Sequence, residues 1–187
     1  MNIISISWLT FLIFWIATWG WTKETAKKRS GKDRIWYVIT LFIGWMFLWE
    51  GNIFTKIFPF NIFLIYPTHH VIIIANILAV LGVALAIWSR VTLGSNWSGS
   101  VQIKKGHELV TSGPYHYVRH PIYAAIFLLL LATGLAIGTV GALLGFIIMM
   151  ASFYIKAAQE EAYMLEQFPD QYPAYMKRTK RILPLLF

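Results

Sequence analysis

The sequence predicts an all-α integral membrane protein with about five transmembrane helices, and composition and hydropathy carry this prediction. Of the 187 residues, 58% are hydrophobic and 13% are charged, whereas soluble domains carry about 25% charged residues. Five stretches approach the roughly 20 apolar residues that cross a bilayer, at positions 2–21, 35–54, 71–89, 121–138 and 140–156. Cysteine is absent, which excludes disulfides, iron–sulfur clusters and cysteine nucleophiles.

The distribution of basic residues predicts how the chain is oriented. Of the sixteen lysines and arginines, fifteen fall in segments 22–34, 90–120 and 156–181, and one, Lys56, falls in segment 51–70. Lysine and arginine are concentrated in the cytoplasmic loops of membrane proteins. We therefore expect a multi-pass protein with its N-terminus outside and its C-terminus in the cytoplasm. The net charge of +8 is then explained by the basic residues of the cytoplasmic segments. No nucleic-acid partner is expected.

The domain organisation is predicted to be one multi-span membrane domain over residues 1–187. Residues 1–89 supply the N-terminal spans, and residues 90–187 hold a polar motif loop, a helical hairpin and a cytoplasmic tail. The tail is expected to leave the membrane as a helix and then to lie along the interface as an aromatic and basic segment.

The last two spans form the predicted hairpin, with its turn at residues 138–141. His120 lies twenty residues before Val140 and Glu160 lies twenty residues after it. At about 1.5 Å per residue both lie about 30 Å from the turn. An antiparallel hairpin therefore brings Arg119 and His120 level with Glu160 and Glu161. The hairpin carries four glycines at small-xxx-small spacing, which we expect to let its two backbones approach closely: Gly134, Gly138, Gly141 and Gly145.

This polar end of the hairpin is expected to bind a ligand with charges of both signs. Pro121 suits the first turn of a helix, whose free N–H groups favour an anion beside Arg119. Tyr123 adds a hydroxyl one turn further on, and the two glutamates add carboxylates at a depth where ionisable groups are costly and often functional. The alternative is an interfacial ion pair between Arg119 and the glutamates that merely fastens the hairpin.

The motif loop reads GHELVTSGPYHYVRHPIY at residues 106–123, and an EE pair follows about forty residues later. Together with LGSNWSGSV, FPDQYPAY and a terminal RILP, it resembles the isoprenylcysteine carboxyl methyltransferase family over roughly residues 93–187. The phospholipid N-methyltransferases are wider relatives. The chain is similar to the compact prokaryotic members. The resemblance implies a multi-span helical enzyme that transfers a methyl group from S-adenosylmethionine to a lipid-borne acceptor.

The resemblance also implies which residues form a cytoplasmic cofactor pocket. Arg119, His120 and Glu160 are implied as catalytic residues. The positions implied to bind or border the cofactor are His107, Leu109, Val110, Gly113, Tyr115, Arg119, His120, Pro121, Tyr123, Glu160 and Glu161. Within such a pocket Arg119 can hold the carboxylate of the cofactor or that of the substrate. A glutamate can hold the cofactor amine or ribose, and tyrosines can flank adenine.

The acceptor is expected to be a lipid-like or prenylated molecule, most simply a prenylcysteine-like carboxylate. A carboxylate is already ionised at neutral pH, so its methylation needs no base. An amine acceptor, as in phospholipid N-methylation, must lose a proton, and His120 or a glutamate is then the candidate base.

Three other interpretations are weighed against methyl transfer. A metal site is not expected, because Pro114 and Pro121 break any single helix that would align His116 with His120. A non-catalytic membrane scaffold or small-molecule carrier would use the polar loop only to fix helix packing. A sterol-type reductase using a nicotinamide cofactor shares the multi-span helical plan. Binding of S-adenosylhomocysteine would favour the methyltransferase over the scaffold or carrier. Binding of NADPH would favour the reductase.

Overall fold

The computed structural model describes residues 2–23, 25–28, 32–48, 62–97, 102–104 and 108–184. Within these residues the chain is mainly helical. The α-helices are α1 (Ile3–Ala17), α2 (Lys32–Leu48), α3 (His69–Leu93), α4 (Pro121–Ile137), α5 (Val140–Gln167) and α6 (Tyr172–Arg178). Short 3-10 turns occupy Gly94–Asn96 and Gly113–His116.

Two of these helices are long and apolar enough to cross a membrane. They are α3 together with its following 3-10 turn, His69–Asn96, and α5. Three further helices, α1, α2 and α4, have shorter apolar parts. These parts are Ile3–Ala17, Ile35–Leu48 and Pro121–Ile137. The helical character of the predicted fold is confirmed by these elements, while the count of five spans and their orientation stay predictions.

The helix α4 lies at the centre of the described fold, because it contributes to two hydrophobic clusters. One cluster joins α4 to α2 and α5 and includes Leu48, Leu130 and Phe153. The other cluster joins α4 to α1 and α3 through small residues such as Ala75 and Ala79. Burial of apolar side chains between helices in this way is what aligns the polar residues at the helix ends.

The hairpin turn between α4 and α5 forms where the sequence predicted it. Gly138 ends α4 with φ of 76°, a left-handed conformation that glycine adopts without steric cost. Its carbonyl oxygen accepts hydrogen bonds from the backbone N–H groups of Leu64 and Ile65, at 2.9 and 3.0 Å. The hydroxyl of Thr139 then caps α5 by accepting from the N–H of Ala142 at 3.3 Å.

The expected role of the hairpin glycines was wrong. Gly145 of α5 faces α2: a Cβ placed on it would lie 2.5 Å from the Leu48 nitrogen and 2.6 Å from the Gly44 oxygen. Gly134 of α4 has no neighbouring atom within 4 Å of such a Cβ. The two hairpin helices instead meet through larger side chains, among them Phe127 and Phe146, whose ring centroids are 5.4 Å apart. Small residues serve the α2–α5 contact because that is where the backbones approach each other.

This difference predicts opposite outcomes for two glycine substitutions. Gly145→Ala is expected to destabilise the protein by about 1–3 kcal/mol, because the added Cβ would overlap backbone atoms of α2 and push that helix away. Gly134→Ala is the matched control and is expected to be neutral or to add up to about 1 kcal/mol, because alanine favours the helix. Thermal unfolding in detergent measures both. Equal melting temperatures for the two variants would contradict the close α2–α5 contact.

One element was not anticipated by the all-α prediction. Residues Thr25–Lys28 form a strand, β1, that pairs antiparallel with Gln102–Lys104, β2. Strands of three and four residues with mixed polarity leave no hydropathy period that could indicate them. The pair joins two segments that were both assigned to the cytoplasmic side.

Candidate functional site

The polar site is built where the loop before α4 meets the C-terminal tail. The backbone N–H of Arg119 donates to the Lys180 oxygen at 2.8 Å, and that of His120 donates to the Arg181 oxygen at 2.9 Å. Val118 and Lys180 form a parallel β-bridge beside them. The tail therefore lies against the start of α4 and fixes the backbone that carries Arg119 and His120.

Glu161 is the buried centre of an ion-pair cluster. Its Oε1 accepts from Arg119 Nε at 2.7 Å, and its Oε2 accepts from Arg181 Nε at 3.0 Å and Nη2 at 2.7 Å. Its side chain is only 3% exposed. Arg119 Nη1 also donates to the backbone oxygens of Met176 and Thr179. The hydrogen bonds to Glu161 raise the pKa of Arg181. One carboxylate thus holds together α4, α5 and the tail.

Glu160, the neighbouring acid, has different partners. Its Oε1 accepts a hydrogen bond from the Tyr123 hydroxyl at 2.8 Å, and its Oε2 lies 3.5 Å from His120 Nδ1. The rings of His120 and Tyr123 are stacked, with centroids 5.3 Å apart and planes 7° apart. Lys156, one turn earlier on α5, places its Nζ 3.9 Å from the same Oε1. Glu160 is 26% exposed and therefore remains accessible to a ligand.

His120 has an unused ring nitrogen at this position. Its Nε2 is buried and makes no hydrogen bond within the part of the chain that the structure describes. It lies 3.4 Å from Glu161 Oε1. This nitrogen therefore faces the carboxylate that binds the two arginines, while the ring of His120 belongs to the cavity lining.

These residues open into a cavity of about 420 Å³, within the size range of small-molecule sites. Its ionisable and amide lining comprises Asn96, Glu108, Arg119, His120, Lys156 and Glu160. Much of the remaining lining is aromatic. Trp15 stacks on Phe11 with centroids 4.5 Å apart, and Trp97 makes edge contacts with Trp15 and Trp19 at 6.1 and 5.6 Å. The cavity therefore combines charged and aromatic side chains in one lining.

The sequence-predicted cofactor residues divide into three groups. Those that line the cavity are Val110, Tyr115, Arg119, His120, Tyr123 and Glu160. Those that the structure places outside the lining are Leu109, Gly113, Pro121 and Glu161. His107 lies outside the described residues.

The residues outside the lining have structural contacts that explain their positions. Gly113, with φ of 56°, lies against Thr92 and Trp88. Pro121 is fully buried at the first turn of α4. Glu161 is turned toward the two arginines, so of the adjacent acids only Glu160 faces the cavity.

Sequence reasoning missed several cavity residues and a residue that supports the cavity wall. Among the missed cavity residues are Tyr37 of α2 and Lys156, each of which has the sequence context of an ordinary residue near the end of a span. Arg90 is fully buried and donates to the backbone oxygens of Thr18 and Gly94 at 2.7 and 2.6 Å. Its guanidinium carbon lies 4.6 Å from the centroid of the Trp97 ring. The position of Arg90 directly after an apolar span could have indicated this buried role. The sequence analysis used Arg90 only as one of the basic residues that predict the cytoplasmic side.

Two tyrosines close the cavity on the side of the tail. The hydroxyl of Tyr175 donates to the backbone oxygen of Tyr115 at 2.6 Å. Burial raises the pKa of Tyr175 to about 12 and raises that of Tyr115 further above its usual range. Both hydroxyls are therefore neutral and able to donate hydrogen bonds at physiological pH. In the described ranges no three His, Cys, Asp or Glu residues are grouped as metal ligands.

Apolar helices that carry a charged cluster next to a cavity with aromatic lining are typical of a membrane protein with a candidate site for an organic ligand. The model of the isoprenylcysteine carboxyl methyltransferase (ICMT) family matches residues 71–166, slightly more than half of the chain. The chain belongs to this family, as the motif loop and the EE pair had indicated.

Similar proteins agree with this assignment. Over 109 residues the chain is 37% identical to the protein-S-isoprenylcysteine O-methyltransferase of Schizosaccharomyces pombe, covering 57% of this chain and 46% of the relative. It is 30% identical to that of Xenopus laevis over 61% of this chain and 41% of the relative. The chain thus spans less than half the length of these curated relatives.

A solved structure shows the same fold. It is that of the eukaryotic intramembrane Ras methyltransferase ICMT, with a TM-score of 0.57 and 27% sequence identity. The match covers 79% of this chain and 52% of the other.

Proposed function

We propose that the protein is an S-adenosylmethionine-dependent methyltransferase that acts at the membrane on a lipid-borne carboxylate, such as a prenylcysteine-like carboxyl group. The observation that carries the proposal is the cavity whose lining combines Glu160, His120 and Tyr123 with aromatic side chains. Membership of the ICMT family supports the same reaction. An amphiphilic acceptor and a charged, nucleoside-containing cofactor fit such a mixed lining.

The residues present fit the cofactor. Glu160 offers a carboxylate to an amine or to ribose hydroxyls, and the ring of His120 lies beside it in the lining. Tyr115 and Tyr172 supply aromatic surfaces in the lining. The hydrogen bonds of Arg119 to Glu161 and to the tail use Nε and Nη1. Nη2 of Arg119 is not used in these bonds and is proposed to face the carboxylate of the cofactor.

The chemistry requires little acid–base catalysis from the protein. When bound, S-adenosylmethionine supplies a methyl group on a sulfonium, which a carboxylate oxygen takes with its own electron pair while the pair of the broken carbon–sulfur bond stays on sulfur. The aromatic side chains of the lining lower the polarity around the reacting groups, which favours a reaction that disperses charge. Glu160, His120 and Tyr123 hold the reactants in position, which supplies a large part of such a rate enhancement. No proton has to be removed from a carboxylate acceptor.

Titration of the detergent-solubilised protein with S-adenosylhomocysteine tests this proposal. We expect saturable binding by calorimetry, and transfer of labelled methyl to N-acetyl-S-farnesylcysteine as a base-labile ester. NADPH is the control ligand and is expected not to bind. Well-folded protein that binds no S-adenosylhomocysteine would leave a scaffold or carrier as the better interpretation.

Phospholipid N-methylation is the second candidate. It is favoured by His120 and Glu160, because an imidazole in the cavity lining beside a carboxylate can accept the proton that an amine must lose. Labelled phosphatidylethanolamine products, in place of the labelled prenylcysteine ester, would identify this reaction.

A further inference from the structure

Lys156 is a cavity residue to which neither the sequence motif nor the proposed cofactor contacts assign a role. It lies on α5 one turn before Glu160, and its side chain is 18% exposed. The ammonium lies over the ring of Tyr37, with Nζ 4.6 Å from the centroid, and 5.8 Å from the ring centroid of Tyr123. Two aromatic faces therefore hold a positive charge at the cavity surface.

The neighbouring acid leaves this charge incompletely paired. The distance from Lys156 Nζ to Glu160 Oε1 is 3.9 Å, whereas hydrogen-bonded ion pairs are about 2.7–2.9 Å long. The same oxygen already accepts the Tyr123 hydroxyl at 2.8 Å. Glu161 is bound by two arginines and is not in the lining. A cation in apolar surroundings with a distant, shared counter-ion is stabilised by a second anion.

We infer that Lys156 binds the carboxylate of the methyl acceptor and thereby selects anionic acceptors over amines. This inference rests on the proposed methyltransferase function and names the charge of its substrate. The other cation in the cavity, Arg119, already has Glu161 and the tail carbonyls as partners. Lys156 is the cavity cation whose donor hydrogens form no hydrogen bond of normal length within the described residues. An amine acceptor would meet like charge at this point.

The test compares acceptor binding with cofactor-product binding in the same samples. Full-length protein in detergent, saturated with S-adenosylhomocysteine, is titrated with N-acetyl-S-farnesylcysteine and with its carboxamide, followed by tryptophan fluorescence. We expect the wild-type protein to bind the carboxylate about ten- to a hundredfold more tightly than the carboxamide, the size of one charge-assisted hydrogen bond. Lys156→Met is expected to remove this preference, and Lys156→Arg is expected to keep most of it.

Controls separate this role from a structural one. Lys177→Met removes an exposed lysine of α6 and is expected to leave the preference unchanged. In Lys156→Met the affinity for S-adenosylhomocysteine is expected to stay within about twofold, and methylation is expected to show a raised KM with a smaller change in kcat.

Four outcomes would overturn the inference. Lys156→Met could keep the preference for the carboxylate, or it could lose S-adenosylhomocysteine affinity in parallel with acceptor affinity. The wild-type protein could also show no preference, or methylate phosphatidylethanolamine instead. In each of these cases the wild-type protein still binds S-adenosylhomocysteine. A wild-type protein that does not bind it would defeat the proposed function itself, so the two failures are distinguishable.

Discussion

Glu161→Gln is expected to destabilise the protein by about 3–5 kcal/mol, because it removes the charge that compensates two guanidinium groups, one of them buried. Arg119 and Arg181 share this carboxylate, with nitrogen–oxygen distances of 2.7–3.0 Å. An amide presents one acceptor oxygen in place of two charged ones. The tail is then expected to detach from the start of α4, since the cluster holds the two together.

Two measurements check this result. The apparent melting temperature in detergent is expected to fall, and trypsin is expected to cleave faster at the exposed basic residues of the tail, among them Lys177 and Lys180. Addition of S-adenosylhomocysteine is expected to restore part of the stability if the tail closes the site. An unchanged melting temperature together with unchanged cleavage would mean that the ion-pair cluster does not hold the tail.

Glu160→Gln is expected to affect ligand binding instead of stability. Its carboxylate is accessible from the cavity and accepts from Tyr123, so the amide can keep a hydrogen bond there but loses its charge. We expect the affinity for S-adenosylhomocysteine to fall about ten- to a hundredfold, as for one hydrogen bond to a charged group. Calorimetric titration measures the change.

The two adjacent glutamates form a matched pair for this comparison. The same one-atom change is made at consecutive positions of α5, and only the direction of the side chain differs. Glu160→Gln is expected to keep the wild-type melting temperature within a few degrees, and to leave trypsin cleavage of the tail as it was. If Glu160→Gln lowered stability as much as Glu161→Gln, while binding the ligand normally, the division of roles between the two acids would be wrong.

Much of the fold was predictable because hydropathy reports which residues can lie in an apolar environment. The helix start at Pro121, the turn at Gly138–Thr139 and the helix start at Val140 were all predicted, since proline, glycine and threonine favour those positions. The constant rise of a helix also predicted that Arg119 and Glu161 lie at the same distance from the hairpin turn. The structure places the two side chains 2.7 Å apart.

The contacts of the glycines and the choice between the two acids were not predictable in the same way. Which helix approaches Gly145 depends on how α2 packs, and no feature of the hairpin sequence indicates it. Consecutive helical residues point about 100° apart, so Glu160 and Glu161 cannot share one environment. The sequence does not tell which of them faces the cavity. The α1 aromatic wall was missed because Phe11, Trp15 and Trp19 look like ordinary membrane-span residues.

The sequence by itself determined that this protein is a helical membrane protein of the ICMT family with a polar site at the open end of a hairpin. Hydropathy, helix rise and a local motif are properties of neighbouring residues in the sequence, so they can be recognised before the packing of the helices is known. Only the tertiary structure decided that Glu161 fastens the tail while Glu160, His120 and Lys156 face an aromatic cavity. Those roles depend on the direction of each side chain and on partners twenty or more residues away, and both are set when the helices pack.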